Sequence, residues 1–299
     1  MKNKQRWWFR LAALAALAAI LFAFTGGIWP EAAPTQVIAH RGANIYAPEN
    51  TLPAYEKAIA LGADGVETDV LMTADGVVVL SHDSSIDRCS DGTGRVRDMT
   101  LAQLREYDFG SWFSPAFAGT QIPTLDEFLD TVESVGLILI EFKSNEDDIA
   151  AKTVAAVQAH GMMHQVIFHS FDLTVIQACK AADPDAAIAF LYNPGSEYDQ
   201  AIRKDAVGFC QQYHLDALHP QYAAHSSWLA RRCAKIGVET RVWTANDRLF
   251  LAGCSGQGAR GLITDQVELA QTIIRWPLFV RFLFGAVCDI ASLISPYIS

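Results

Sequence analysis

The chain has 299 residues, 51% of them hydrophobic, and a formal net charge of −10. That length fits one large domain or two small ones with a sizeable core, and the acidic balance argues against nucleic acid as a partner. Six cysteines (Cys89, Cys179, Cys210, Cys233, Cys254, Cys288) lack any C-x-x-C spacing, which argues against a zinc site or redox motif; buried free thiols are the commoner reading, and an even count leaves disulfides open.

Lys2, Lys4, Arg6 and Arg10 precede an apolar run from Leu11 to Ile28, bracketed by Trp7, Trp8 and Trp29. The run is long enough to cross a bilayer as a helix, and the tryptophans suit its two interfaces. A cleaved signal peptide is the alternative, with Glu31-Ala32-Ala33 as a weak cleavage site. Residues 1–35 are therefore expected to be a membrane anchor and linker. Its basic flank stays in the cytoplasm, giving a single-pass membrane protein with an extracytoplasmic catalytic domain.

From Gln36 onward, short β-rich runs alternate with helical ones. Strands are expected at Val37–Ala39, in a hairpin from Gly65 to Asp83, and at Leu137–Phe142, Val166–Phe168, Ala187–Leu191, Ala217–His219, Glu239–Trp243 and Leu262–Ile263. Helices are expected at Leu52–Leu61, Leu125–Val135, Asp147–His160, Leu173–Ala182, Ser226–Ile236 and Asp247–Gly253. This alternation predicts an α/β fold, a (β/α)₈ TIM-type barrel over 36–275, rather than an open sheet. It yields one strand more than a barrel needs, and the antiparallel half of the hairpin accounts for the excess. Residues 84–120, rich in aromatics (Tyr107, Phe109, Trp112, Phe113, Phe117), read as a small insertion capping one rim. The tail, 276–299, is apolar but interrupted by Arg281 and Asp289, so a packed or interfacial helix is favoured over a second span.

The hairpin carries the first chemistry. Turning about Ala74 and Asp75, it would set Glu67 opposite His82 and Asp69 opposite Leu80. Side chains two apart share a face, so Glu67, Asp69 and His82 would converge. The bland reading is a solvated edge hairpin with an acidic outer face. In a barrel, however, the active site lies where the strands end. Those ends read His40-Arg41-Gly42, then Glu67, Asp69 and His82, then Glu141-Phe142-Lys143, His169-Ser170, His219-Pro220 and Trp243-Thr244.

Taken singly, each residue has a structural explanation. His40 could cap a helix, Glu141 and Lys143 could form an ion pair, and Trp243 could belong to the core; His169 and His219 read as structural or substrate-lining. Together, three carboxylates (Glu67, Asp69, Glu141) without a thiolate select a hard cation, Ca²⁺ or Mg²⁺. Arg41 offers a fork of donors to phosphoryl oxygens, Lys143 a point charge. Two histidines can divide acid and base work.

His40-Arg41-Gly42, Pro48-Glu49-Asn50-Thr51, Glu67-x-Asp69, His82-Asp83, Ile122-Pro123-Thr124-Leu125 and Glu141-x-Lys143 resemble the glycerophosphodiester phosphodiesterase family in order and spacing. Ser170-Phe171-Asp172, Val242 to Asp247 and Gly261 to Asp265 extend the likeness over about Val37 to Leu269. The resemblance implies a phosphatidylinositol-phospholipase-C-like barrel hydrolysing glycerophosphodiesters to glycerol 3-phosphate and an alcohol. It implies metal ligands at Glu67, Asp69 and Glu141, an acid/base pair at His40 and His82, and phosphate contacts at Arg41 and Lys143. Glu49 and Asn50 are supporting residues, Trp243 is placed with the substrate, and Thr51 could cap the following helix. In the family's usual mechanism the neighbouring glycerol hydroxyl attacks phosphorus, giving a cyclic phosphate that water opens. Alternatives are a lysophospholipase D-type activity on lysophospholipids, which the anchor and the aromatic insertion suit, and a non-catalytic barrel binding lipid head groups.

Overall fold

The computed structural model of the protein describes residues 34–146 and 148–294. The expected anchor over 1–35 lies almost wholly outside them. Among the described residues, no helix is long and apolar enough to cross a membrane.

Eight parallel strands close into a barrel: β1 (Gln36–Ala39), β2 (Gly65–Met72), β4 (Ile138–Phe142), β5 (Val166–Ser170), β6 (Ala187–Tyr192), β7 (Ala217–Pro220), β8 (Glu239–Val242) and β9 (Gly261–Thr264). β1 pairs with both β2 and β9, which closes the ring. β3 (Val78–Leu80) adds to β2 antiparallel, the extra strand expected from the hairpin. Successive side chains alternate between two environments. Val66, Val70, Ile138, Ile140 and Phe168 face the helices in the main core, whereas Ile38, Leu139 and Ile263 fill the barrel interior.

The helices are α1 (Leu52–Ala60), the single turn α2 (Leu101–Leu104), α3 (Leu125–Val132), α4 (Ile149–Ala159), α5 (Leu173–Ala182), α6 (Glu197–Gln212), α7 (Ser227–Ala234), α8 (Arg248–Gly256), α9 (Val267–Ile274) and α10 (Leu278–Ile294). Besides the single turn α2, the sequence reading lacks α6 and α9. α6 is polar and broken: Asp205 leaves helical geometry (φ −152°, ψ 83°), and its carboxylate accepts from Gly208 N to restart the helix. Its apolar period is therefore interrupted midway. α10 packs on α8 through close backbone approach; a Cβ at Gly256 would meet the Arg281 carbonyl oxygen at 1.8 Å. Its two charges turn inward: Arg281 donates to Ser255, and Asp289 accepts from Ser227 N and Gln257. All six cysteines are free thiols.

The hairpin register differs by one from the expected one. Val70, not Asp69, pairs with Leu80, and Met72 pairs with Val78. The cause is the turn, which holds three residues rather than two. Thr73 N donates to Val77 O, and Gly76 takes a positive φ (+79°) that a side chain would disfavour. Strand pairing therefore does not aim His82, because β3 ends at Leu80. The insertion packs against the hairpin in a small second core, Ile86, Val96, Leu104 and Phe109 meeting Leu71 of β2, Val79 of β3 and Ile122.

Candidate active site

The first barrel loop is shaped by backbone conformation. Arg41 (φ +55°) and Gly42 (φ +80°) both turn left-handed, and a Cβ on Gly42 would lie 2.8 Å from the Ala54 backbone. Gly42→Ala should therefore cost about 1–3 kcal/mol. Urea unfolding checks this, and unchanged stability would show that the loop can move away from α1. The same turn points the Arg41 amide at Glu67, which accepts it at 2.9 Å. The Arg41 side chain reaches Glu49 (Nη1 to Oε1, 2.9 Å) and Asp69 (Nε to Oδ2, 3.2 Å). Asn50, also left-handed, donates to Asp69 Oδ2 at 2.8 Å and accepts from Asp69 N and from Tyr55 and Thr68 hydroxyls. The supporting role of Glu49 and Asn50 thus has a concrete form: they fix Arg41 and Asp69. Thr51 does precede α1, but its hydroxyl donates to Pro48 O rather than capping the helix.

Strand register assembles the acids. Asp69 on β2 lies beside Glu141 on β4, and Glu141 beside His169 on β5. Glu67, Glu141 and His169 bring ligand atoms within 4.8 Å of one another, all three buried. Glu67 Oε1 stands 4.0 Å from His169 Nε2. Lys143 Nζ donates to Glu141 Oε1 at 2.6 Å and lies 3.6 Å from Asp69 Oδ1. Glu67 Oε1, Asp69 Oδ1 and His169 Nε2 are buried without a hydrogen-bond partner among the described residues. Leaving such atoms unsatisfied is costly, and their convergence fits a cation with mixed oxygen and nitrogen ligands.

His169 is the residue that sequence reasoning set aside. Its ring lies against His219, Nδ1 to Nδ1 at 3.0 Å, so one imidazole donates to the other. That frees His169 Nε2 toward Glu67. The available signal was its place at a strand end, one strand beyond Glu141. Asp69, by contrast, is held by Arg41 and Asn50 and offers only Oδ1 to the same space. Trp243 forms part of the mouth, its indole donating to His219 O at 2.8 Å and its ring edge-on to Phe171 at 5.2 Å.

Charge states follow from these surroundings. Burial, then the Asp69 and Glu141 charges, pushes Glu67 up to about 8. Burial, then Asp69, pushes Glu141 up to about 7, although Lys143 opposes this. Burial also disfavours ionised Asp69, but Arg41 and Lys143 outweigh it and hold that carboxyl below its usual range.

Each expected acid/base histidine has an aspartate on Nδ1. His40 Nδ1 donates to Asp265 Oδ1 at 2.7 Å, and Asn44 and Asn246 donate to the same carboxylate. His82 Nδ1 donates to Asp83 Oδ1 at 2.7 Å. Burial works against a charged His40, but the Asp265 bond and Glu67 raise its pKa overall. For His82 burial prevails and lowers it, against the pull of Asp69. An aspartate behind each imidazole fixes its tautomer and leaves Nε2 for proton exchange.

The Glycerophosphoryl diester phosphodiesterase family profile matches residues 40–269. A glycerophosphodiester phosphodiesterase of Caldanaerobacter subterraneus is 34% identical over 247 residues, 81% of this chain and 98% of that protein. The Agrobacterium tumefaciens glycerophosphodiester phosphodiesterase structure superposes with a TM-score of 0.70 at 27% identity, covering 80% of this chain and 99% of that one. An Oleispira antarctica phosphodiesterase, solved with the product sn-glycerol-3-phosphate, gives the same TM-score of 0.70 at 27% identity, over 80% of this chain and 96% of that one. The chain is thus a phosphoric diester hydrolase belonging to the glycerophosphoryl diester phosphodiesterase family.

Proposed function

We propose that the protein hydrolyses glycerophosphodiesters to glycerol 3-phosphate and an alcohol, with His40 and His82 exchanging protons beside a carboxylate-bound divalent cation. The observation that carries this reading is the meeting, at one barrel mouth, of two aspartate-backed imidazoles with buried atoms of Glu67, Asp69 and His169 that have no hydrogen-bond partner among the described residues. The family relation supports it, as does the glycerol 3-phosphate held by the Oleispira relative.

Glu67 and Glu141 would hold the cation, Ca²⁺ or Mg²⁺, with His169 and Asp69 Oδ1 beside them. When bound, it neutralises phosphoryl charge. Arg41 and Lys143 flank the same space and bind the non-bridging oxygens, which orients the diester. One imidazole takes the proton of the attacking hydroxyl while the other, as imidazolium, protonates the departing alcohol oxygen. Each then returns to its starting state in the reverse roles. The raised pKa of His40 and the lowered pKa of His82 favour His40 as donor and His82 as acceptor in the first step.

The test is turnover of a water-soluble glycerophosphodiester, read as glycerol 3-phosphate released. Absence of product from any such diester, with cation supplied, would refute the reading. A lysophospholipid substrate is the second reading. It is favoured by exposed Ile45, Tyr46, Phe171 and Leu249 in the loops and first helical turns around the mouth. Release of free choline from a lysophospholipid in preference to glycerophosphocholine would select it.

The raised carboxyl pKa values also predict a pH dependence. Folded Glu67 and Glu141 bind protons more tightly than the unfolded chain does, whose glutamates titrate near 4.5. Their contribution to stability is present below that pH and lost as pH rises through about 7 to 8. Chelator-treated protein should melt at progressively lower temperature across this range, and Glu67→Gln should flatten the decline. Parallel curves for parent and variant would contradict the assignment.

A further inference from the structure

We propose that Arg88, in the insertion after β3, is a positioning residue for both basic arms of the site. It acts on His82 through Asp83 and on Arg41 through Glu49. The inference rests on the reading of His82 as an acid/base group and Arg41 as a phosphate contact.

One planar guanidinium makes all the connections. Arg88 Nε donates to Asp83 Oδ2 at 2.6 Å, while Nη1 and Nη2 donate to Glu49 Oε2 and Oε1 at 2.9 and 2.8 Å. The other Asp83 oxygen accepts from His82 Nδ1, and Glu49 Oε1 also accepts from Arg41 Nη1. Asp83 therefore cannot rotate toward solvent without giving up either His82 or Arg88. Glu49 cannot leave Arg41 without breaking a bidentate pair. The rigid fork matches this task, and a lysine ammonium could not span both carboxylates in the same plane.

Stability alone does not account for the arrangement. The Arg88 side chain is 45% exposed and Asp83 37% exposed. The Arg88–Asp83 pair at such exposure contributes little to folding, so any stabilising share rests with the bidentate Arg88–Glu49 pair, whose carboxylate is 13% exposed. The contrast with His40 is informative. Its aspartate, Asp265, is held by Asn44 and Asn246 from the barrel's own loops, close to the strands. Asp83 follows a strand that has already ended and, among the described residues, accepts from no such amide, so the insertion supplies the restraint. The insertion is then part of the catalytic apparatus, and its residue chemistry at position 88 tunes how firmly one imidazole is aimed.

The experiment compares kcat, KM and melting temperature of the full chain and its Arg88→Ala variant on glycerophosphocholine with saturating Mg²⁺ or Ca²⁺. The expected result is a fall in kcat on the order of 10- to 100-fold, as for a misplaced reacting group, with the melting temperature within a few degrees of the parent. Arg88→Lys should remain defective, and guanidinium ion in the buffer should restore part of the Arg88→Ala rate. In a His82→Ala background, Arg88→Ala should add much less than its single effect, because much of what it positions is gone. Should Arg88→Ala fold poorly, Arg88→Gln and Asp83→Asn serve the same comparison. A kcat within about 2-fold of the parent, or full multiplication of the two effects in the double variant, would overturn the inference. An inactive parent enzyme would instead overturn the reading beneath it, and the two failures are told apart by the parent's own rate.

Discussion

His82→Ala should lower kcat for glycerophosphodiester hydrolysis by about 10²–10⁴-fold, the usual range for a positioned acid/base group. The histidine is only half-buried, and its ring is held by the Nδ1 bond to Asp83. Its removal should therefore leave the melting temperature nearly unchanged, which separates chemistry from folding. His40→Ala should be comparably slow. It also leaves Asp265 facing two amides without its imidazole partner, so a modest stability change is expected there alone. The check is a kcat ratio at saturating cation and substrate. Unchanged hydrolysis by His82→Ala would remove the imidazole from the mechanism.

Exhaustive chelation should abolish activity, and Mg²⁺ or Ca²⁺ should restore it. Glu67, Asp69 and Glu141 lie together in a buried mouth, and an approaching phosphodiester adds a further negative charge. Arg41 and Lys143 are the cations at hand, and both are already drawn onto those carboxylates. Phosphate binding without an added positive charge would break these pairs or repel the substrate. Glu67→Gln keeps the shape and deletes one charge. Its apparent cation affinity should fall by more than the ~10–100-fold typical of residues that merely support a ligand. Titrating activity against cation concentration measures this directly. Full activity in the presence of excess chelator would mean that the niche serves another purpose.

Much of this site could be read from the chain because parallel strands all deliver their last residues to one rim. His40, Glu67, Asp69 and Glu141 could be collected there without knowing a single distance. The hairpin was less transparent. Asp75-Gly76 announces a turn, but the bulge that Gly76 adopts shifts every pair by one. A local dipeptide does not specify that shift. The second helical stretch missed by periodicity, α9, is short and directly precedes another apolar segment, so its boundary is hidden in composition. His169 reads from the chain only as structural or substrate-lining, for a different reason. Its significance depends on alignment with Glu141 across β4 and β5 and on a second histidine 50 residues later. The Arg88 fork joins side chains 5 and 39 positions apart, a relation carried by packing of the insertion and by no spacing rule.

Gln36 begins β1 beside Gly261 at the start of β9, so the polypeptide joins the barrel at the end remote from His40 and Asp265. Pro34 is fastened to that floor of the barrel, its carbonyl accepting from Arg260. Entry at that end leaves the opposite rim, with His40 and Asp265, clear of the incoming backbone, so dissolved diesters reach it by diffusion without passing the chain's point of attachment.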